Sequence, residues 1–150
     1  MPDDALPDPP PTGPGRAAPG GAGADRAVVA AVSAGGVLGA EARYGLGVLL
    51  AQPSGAVPWA TLLANASGCL LIGALMAVLG RAAAPPRLAR PFLGVGVLGG
   101  YTTFSAYAVD AHRLAEAGRP LAALGYVLGT LAAALSAVWL GTAAARRVLR

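Results

Sequence analysis

Long apolar stretches alternate along the chain with short segments that hold most of the charges and prolines. Residues 55–80 and 120–145 contain no charged side chain, and each stretch exceeds the roughly 20 residues needed to cross a hydrocarbon core of about 30 Å. One more apolar stretch precedes them and another lies between them. The pattern predicts an all-α membrane protein with four transmembrane helices, at about residues 26–51, 57–79, 91–112 and 121–145.

The third apolar stretch contains a run of poor helix formers near its middle. Gly99 and Gly100 are followed by Tyr101, Thr102 and Thr103, and glycine and threonine both disfavour helix. In hydrocarbon, a broken helix leaves backbone groups unpaired at a cost of several kcal/mol each. We therefore expect the third helix to be broken here, with an ion site beside the break. Freed carbonyls around Gly99 and Thr102 would be available to a small cation.

The first 25 residues differ from the rest in composition. They hold seven prolines and five glycines but few large apolar residues, which predicts a disordered tail over 1–25 and a four-helix domain over 26–150.

The whole chain is 55% hydrophobic and 12% charged, with a net charge of +4 supplied only by arginine. We interpret the basic character as loop arginines and not as a nucleic-acid surface.

The arginines are divided unevenly between the two ends of the predicted helices. With four spans both termini lie on one side, where eight arginines fall, whereas only Arg113 and Arg119 fall on the other side. The positive-inside rule then predicts a multi-pass protein of the cell membrane with cytoplasmic termini. Small residues at four-residue spacing predict close helix contacts, either within the chain or with a second subunit. The pairs are Gly35 and Gly39, Gly96 and Gly100, and Gly125 and Gly129.

Several polar residues lie inside the predicted spans and allow two interpretations. Arg43, near Glu41 in the first span, could extend to the interface or could form an electropositive vestibule. Asn65 could join two helices by a hydrogen bond or could donate to a permeating anion. Tyr126 and Thr130 share one face of the fourth helix, where their hydroxyls could line a path or bond back to the helix.

The side chains around the break are rich in donors and poor in acids. Phe104 and Tyr107 share a helix face, and aromatic ring edges carry positive quadrupole density that can hold an anion. Thr103 and Ser105 add hydroxyls. A path for cations would usually contain more carboxylates, so the residue types favour an anion.

Three short motifs lie in the first, second and third spans. They are GVLGAEARY at 36–44, TLLANASG at 61–68 and GGYTTFSAY at 99–107. Together and in this order they resemble the motifs of the CrcB/Fluc fluoride channels, and the resemblance extends over about residues 27–145. The family's second pore phenylalanine corresponds to Tyr107 here, its usual glutamate to Asp110, and part of its hydroxyl track to Ala134.

The resemblance implies an antiparallel dimer of four-helix subunits with two fluoride pores. It implies passive export of cytoplasmic fluoride and a structural Na⁺ bound by backbone oxygens of Gly99 and Thr102 from both subunits. By the same match, Arg43 would lie at the vestibule. The residues that would line or shape the pore are Asn65, Thr103, Phe104, Ser105, Tyr107, Tyr126 and Thr130.

Other assignments make different demands on the chain. A small four-helix multidrug exporter would need a carboxylate within the membrane, for which Glu41 is the candidate, although Arg43 beside it disfavours a cationic substrate. A scaffold subunit without transport activity is a second alternative. We expect no enzyme, because the sequence has no nucleophile constellation and no metal-ligand cluster of histidine and cysteine. The arginine bias commits the chain to one orientation, so a heterodimer with a related chain of reverse orientation is considered beside a homodimer.

Overall fold

The computed structural model describes residues 21–53 and 55–149, which form helices joined by short loops, with no strand among them. This confirms the all-α class. The helical elements are α1 (Gly21–Leu49), α2 (Trp59–Leu79), a π-helical segment (Arg90–Leu98), α3 (Gly99–Tyr101), α4 (Phe104–Glu116) and α5 (Pro120–Val148).

Helix α1 begins earlier than the sequence predicted. It starts at Gly21 and not at residue 26, so the last part of the predicted tail is helical. Alanines at 22, 24 and 27 are strong helix formers, and they extend the helix across residues whose glycines and charges suggested a loop. The remainder of the predicted tail, residues 1–20, lies outside the described residues.

Three helical units in the described part of the chain are long and apolar enough to cross a membrane. They are α2, α5 and the bent unit Arg90–Glu116, which we call the third span. Helix α1 is not one of them, because its glycines and the charges of Glu41 and Arg43 lower its hydropathy. Its 29 residues nevertheless extend over about 43 Å at about 1.5 Å per residue, which is longer than a hydrocarbon core.

The third span is broken near its middle, as the sequence predicted. Thr102 has φ −81° and ψ 157°, and Thr103 has φ −151° and ψ 127°, so both residues are extended. The chain resumes as α4 at Phe104, where the Thr103 hydroxyl accepts a hydrogen bond from the Ala106 amide at 3.2 Å and acts as the N-cap. The preference of β-branched residues for extended backbone explains why the break falls on the threonines and not on the glycines.

Backbone-to-backbone contacts at glycine hold the helices in two pairs. A Cβ atom built at Gly39 would overlap the Val97 carbonyl, which places α1 directly against the third span. One built at Gly141 would overlap the Leu70 carbonyl, which places α5 directly against α2. Gly125 and Gly129, by contrast, face open space, so the close contact predicted for that pair is not made with any residue that the structure describes.

The interior of the single chain is small. Leu114, Ala123 and Tyr126 form its buried cluster, whereas many large apolar side chains on α1 and α5 are exposed, with Leu121 at 84%. An apolar exterior of this kind suits a surface covered by lipid or by another subunit.

Candidate functional site

Asn65 on α2 is hydrogen bonded to both backbone groups of Thr103, the second residue of the break. Its Nδ2 donates to the Thr103 carbonyl at 2.9 Å, and its Oδ1 accepts from the Thr103 amide at 2.8 Å. The Thr103 amide thus recovers the acceptor that the break takes away, while the Thr103 carbonyl, as the N-cap carbonyl of α4, receives a second donor beside its helical one. Of the two interpretations of Asn65, the structure shows the interhelical bond. The second Nδ2 hydrogen is still available to an acceptor in the cavity that Asn65 lines.

The carbonyls at the end of α3 have different partners. The Leu98 carbonyl accepts from both the amide and the hydroxyl of Thr102, at 3.0 and 2.9 Å. The Gly99 carbonyl loses its helical donor because the Thr103 amide donates to Asn65. The Thr102 carbonyl likewise loses its helical donor, because the Ala106 amide donates to the Thr103 hydroxyl. Gly99 and Thr102, the residues predicted to hold a cation, therefore present carbonyls that no helical amide occupies.

Arg43 contacts the break as well as a cavity. Its Nε donates to the Gly100 carbonyl at 3.2 Å, and the half-buried side chain also lines a cavity with Thr61 and Thr103. The side chain is therefore bound to the third span within the subunit. The role of Arg43 at a vestibule stays a prediction, and the sequence did not predict the bond to Gly100.

Three cavities lie in a row between the helices. An outer cavity of about 950 Å³ is lined by the loop after α1, Thr61 and Asp110. A middle cavity of about 500 Å³ is lined by Arg43, Thr61 and Thr103. An inner cavity of about 650 Å³ is lined by Asn65, Thr103 and the rings of Phe104 and Tyr107, among others. The outer and middle cavities share Thr61, and the middle and inner cavities share Thr103. The three cavities thus follow one another from the loop end of the helices to the break.

Three aromatic rings form a stack beside the inner cavity. The ring centroids of Phe104 and Tyr107 are 5.8 Å apart, and those of Tyr107 and Tyr126 are 5.5 Å apart. The Tyr107 hydroxyl donates to the Val127 carbonyl on α5 at 3.0 Å. The hydroxyl that distinguishes Tyr107 from a phenylalanine is therefore directed to the backbone of α5. Phe104 is 80% exposed in the single chain.

Two buried hydroxyls make no hydrogen bond of good geometry among the described residues, although that of Tyr126 has the hydroxyls of Thr61 and Thr130 as neighbours. They belong to Tyr126 and Thr130 on α5, which are 4% and 5% exposed. Thr130 also lines the inner cavity. Because a buried hydroxyl without a partner costs about 1–3 kcal/mol, such groups are uncommon unless a water or an ion completes them. Neither hydroxyl makes the bond back to its own helix that the sequence left open.

Ser105 and Glu41 are placed away from these cavities. The Ser105 hydroxyl is exposed and lies 3.3 Å from that of Thr103, so it neighbours the predicted pore residues without lining any of the three cavities. Glu41 is exposed on α1 and lines none of them either. An exposed position outside the cavities disfavours the proton-exchanging exporter, which would need this carboxylate in the transport path.

Two residues of the row had weak or no signals in the sequence. The Thr61 hydroxyl donates to the Asp110 carboxylate at 2.7 Å, and Thr61 lines both the outer and the middle cavity. Asp110 also lies 3.9 Å from Arg113. Thr61 is the first polar residue inside the second span, which is a signal that could have found it; its partner lies 49 residues further along the chain.

Comparison of the sequence with a family model and with individual known proteins identifies the family of this chain. The sequence model of the family described as "CrcB-like protein, Camphor Resistance (CrcB)" matches residues 30–142. The chain belongs to this CrcB family. It is 51% identical over 122 residues to "Fluoride-specific ion channel FluC 2" of Nocardia farcinica, a match that covers 81% of this chain and 87% of that protein.

Other fluoride channel proteins have similar sequence identity to this chain. Identity is 50% over 123 residues to "Fluoride-specific ion channel FluC 1" of Streptomyces coelicolor, covering 82% of this chain and 80% of that protein. It is 45% over 115 residues to "Fluoride-specific ion channel FluC" of Paracoccus denitrificans, covering 77% and 91%. With its apolar helices, this CrcB protein is a multi-pass membrane protein, as the sequence predicted.

Proposed function

We propose that this protein is a fluoride-specific ion channel that lets cytoplasmic fluoride leave the cell passively. The observation that carries the proposal is the buried Thr130 hydroxyl without a partner in the wall of the inner cavity, together with the buried Tyr126 hydroxyl one helical turn before it, which lines none of the three cavities. Fluoride is small and strongly hydrated, so a path through the protein has to replace its water with closely placed donors. The unused Nδ2 hydrogen of Asn65 is a further donor at the same cavity. The names of the FluC relatives support the same ion.

The charge of the cavity walls favours an anion over a cation. In the described part of the chain, no carboxylate lines the middle or the inner cavity, while Arg43 contributes a positive charge to the middle one. Two carboxylates line the outer cavity. Asp110 accepts from Thr61 and lies close to Arg113, and Glu116 lies 3.3 Å from the His112 ring nitrogen. The protein conducts an ion in this proposal and catalyses no reaction.

Fluoride efflux from liposomes that contain the purified protein tests the proposal. Fluoride should leave at a rate far above that of protein-free vesicles, and chloride should not. Thr130→Val and Tyr126→Phe each remove one hydroxyl at nearly constant shape, and we expect each to lower the fluoride rate about tenfold or more, the cost of one unsatisfied ion contact. Thr142→Val is the matched control, because the Thr142 hydroxyl on the same helix donates to the Gly73 carbonyl away from the cavities.

A result without fluoride selectivity would reject the channel assignment. Vesicles that release fluoride no faster than protein-free vesicles, with this chain alone and with a related partner chain, would favour a scaffold subunit. Loss of transport in Glu41→Gln would instead favour the exporter, because Glu41 lies outside the three cavities.

The Gly99 and Thr102 carbonyls are proposed to hold a structural Na⁺. Both residues line the inner cavity, and both carbonyls lack the amide that a continuous helix would provide. Oxygen ligands alone suit a hard cation, and two carbonyls from one chain would be completed by two from a second chain. Replacing Na⁺ by a large organic cation should lower both the thermal stability and the fluoride rate; equal values in the two media would contradict the site.

An antiparallel dimer is the proposed assembly. The 80% exposure of Phe104 and the exposure of Val95 at 63% leave apolar groups next to the break uncovered in one subunit, where a second subunit would bury them. Whether the partner is identical or related depends on orientation. Reporter fusions at the C-terminus that find all chains in one orientation, together with no efflux until a related chain is added, would establish the heterodimer. Both orientations and efflux from this chain alone would establish the homodimer.

A further inference from the structure

Arg43 is the described charged side chain that touches both the break and the row of cavities. Its Nε donates to the Gly100 carbonyl at 3.2 Å, and its side chain lines the middle cavity together with Thr61 and Thr103. A charge in such a cavity could act on an anion through its field, or it could act on the protein through its hydrogen bond. The surroundings of Arg43 allow these two roles to be distinguished.

The backbone of Arg43 belongs to the face of α1 that packs directly against the third span. Arg43 lies four residues after Gly39, and residues at this spacing share a helix face. A Cβ at Gly39 would lie 2.8 Å from the Tyr101 amide nitrogen, and a Cβ at Gly100 would lie 3.1 Å from the Gly36 Cα. The two backbones are thus in contact on either side of the residue that Arg43 binds. With its base held at this distance, the side chain needs no large rearrangement to reach the carbonyl.

The bond to Gly100 completes the hydrogen bonding at the end of α3. The last carbonyls of a helix have no donor from the helix itself. The Leu98 carbonyl accepts from Thr102, and the Gly99 carbonyl is proposed to face the cation, so the Gly100 carbonyl that follows them needs a donor from elsewhere. A guanidinium is a planar donor with a fixed geometry and permanent charge, whereas a lysine ammonium is a compact charge without that directionality. The Nε position suits an arginine and no other side chain of the same charge.

We propose that Arg43 is a positioning residue for fluoride conduction. It holds the Gly100 peptide, and with it the shape of the break beside Thr103, through its hydrogen bond; attraction of anions by its charge is not its main contribution. The inference rests on the proposed fluoride conduction. It differs from a vestibule charge in one respect that can be measured: a lysine keeps the charge but has a methylene group where Arg43 has its Nε–H donor.

The experiment measures fluoride efflux from liposomes for the wild type, Arg43→Lys and Arg43→Met. If Arg43 acts through its hydrogen bond to the Gly100 carbonyl, both variants should lose fluoride rate to a similar extent. The expected loss is about tenfold or more, as when a hydrogen bond from a charged donor is removed. The same role also predicts a shift of both variants to higher Na⁺ for half-maximal rate. Arg81→Lys is the matched control, because the exposed Arg81 also donates to a helix-end carbonyl, that of Arg146 at 3.3 Å, away from the cavities. The control should retain the wild-type rate.

A second measurement needs no variant to fold. The wild-type fluoride rate is measured with an impermeant salt between about 0.01 M and about 1 M ionic strength, over which the Debye length falls from about 30 Å to about 3 Å. If Arg43 acts through its hydrogen bond, the rate should be unchanged within about twofold, because salt screens a partly buried contact much less than it screens the field between separated charges. A rate that falls severalfold with salt, or full activity of Arg43→Lys beside an inactive Arg43→Met, would overturn the inference. A wild type that carries no fluoride would instead reject the proposed function.

Discussion

Replacement of Gly39 by alanine should separate α1 from the third span. The new methyl carbon would lie 2.8 Å from the Tyr101 nitrogen and 2.9 Å from the Val97 carbonyl carbon, and it would overlap the Val97 oxygen. Ordinary contacts of a carbon atom are about 3.5–4.0 Å, so α1 has to withdraw by about 1 Å. All three opposing atoms are backbone and cannot rotate away. Overpacking of this kind costs about 1–3 kcal/mol, and the same shift moves Arg43 away from its acceptor.

Gly36, one turn earlier on α1, provides the matched control. A Cβ atom at Gly36 meets nothing within 4 Å, so Gly36→Ala should be neutral or should stabilise the helix by up to about 1 kcal/mol. The free energy of unfolding in detergent, followed by circular dichroism, should therefore fall for Gly39→Ala and should stay the same or rise for Gly36→Ala. Fluoride efflux should fall only for Gly39→Ala. Equal unfolding free energies, or a Gly39→Ala protein more stable than the wild type, would refute the packing argument.

Substitutions at three further positions test the break and the aromatic rings beside it. Asn65→Leu leaves the Thr103 amide without a partner and should lower the unfolding free energy by about 1–3 kcal/mol; Asn65→Asp, which keeps the acceptor, should lower it less. Thr103→Val removes the N-cap of α4 and should cost about 1 kcal/mol, and Thr103→Ser should recover most of it in the same unfolding assay. Tyr107→Phe loses one hydrogen bond, about 0.5–1.5 kcal/mol, but keeps the ring, so the fluoride rate should stay within a few fold of wild type. A loss of fluoride efflux in Tyr107→Phe comparable to that of Thr130→Val would mean that the Tyr107 hydroxyl takes part in the path.

The position of the break could be predicted because its cause is local. Two β-branched threonines follow two glycines, and each residue type disfavours helix whatever surrounds it. The apolar stretches located α2 and α5 within a few residues for a similar reason, since hydrocarbon requires a minimum length. The start of α1 was missed because alanines between glycines carried the helix past residues that resemble a loop.

The partners of the polar residues could not be predicted from the sequence. Arg43 and Gly100 are separated by 57 residues, and Asn65 and Thr103 by 38, so neither bond leaves a periodic signal. From the sequence, Arg43 was interpreted as a charge at the interface or at a vestibule. Its bond to the Gly100 carbonyl depends on the packing of α1 against the third span, which the sequence does not show. Glycine pairs have the same limitation: Gly39 meets a neighbour and Gly129 does not, although their spacing patterns are alike.

The double hydrogen bond between the Asn65 side chain and the Thr103 backbone also has a mechanical consequence. Thr103 is the residue that the middle and inner cavities share, and a displacement of α2 along the third span by about 1 Å would stretch both bonds beyond their range. The boundary between these cavities therefore moves with α2 as a stiff unit. Closure of the path at Thr103 would require local unfolding of the break, which is slower than the rotation of a side chain. Rapid opening and closing of the path at this residue is therefore not expected.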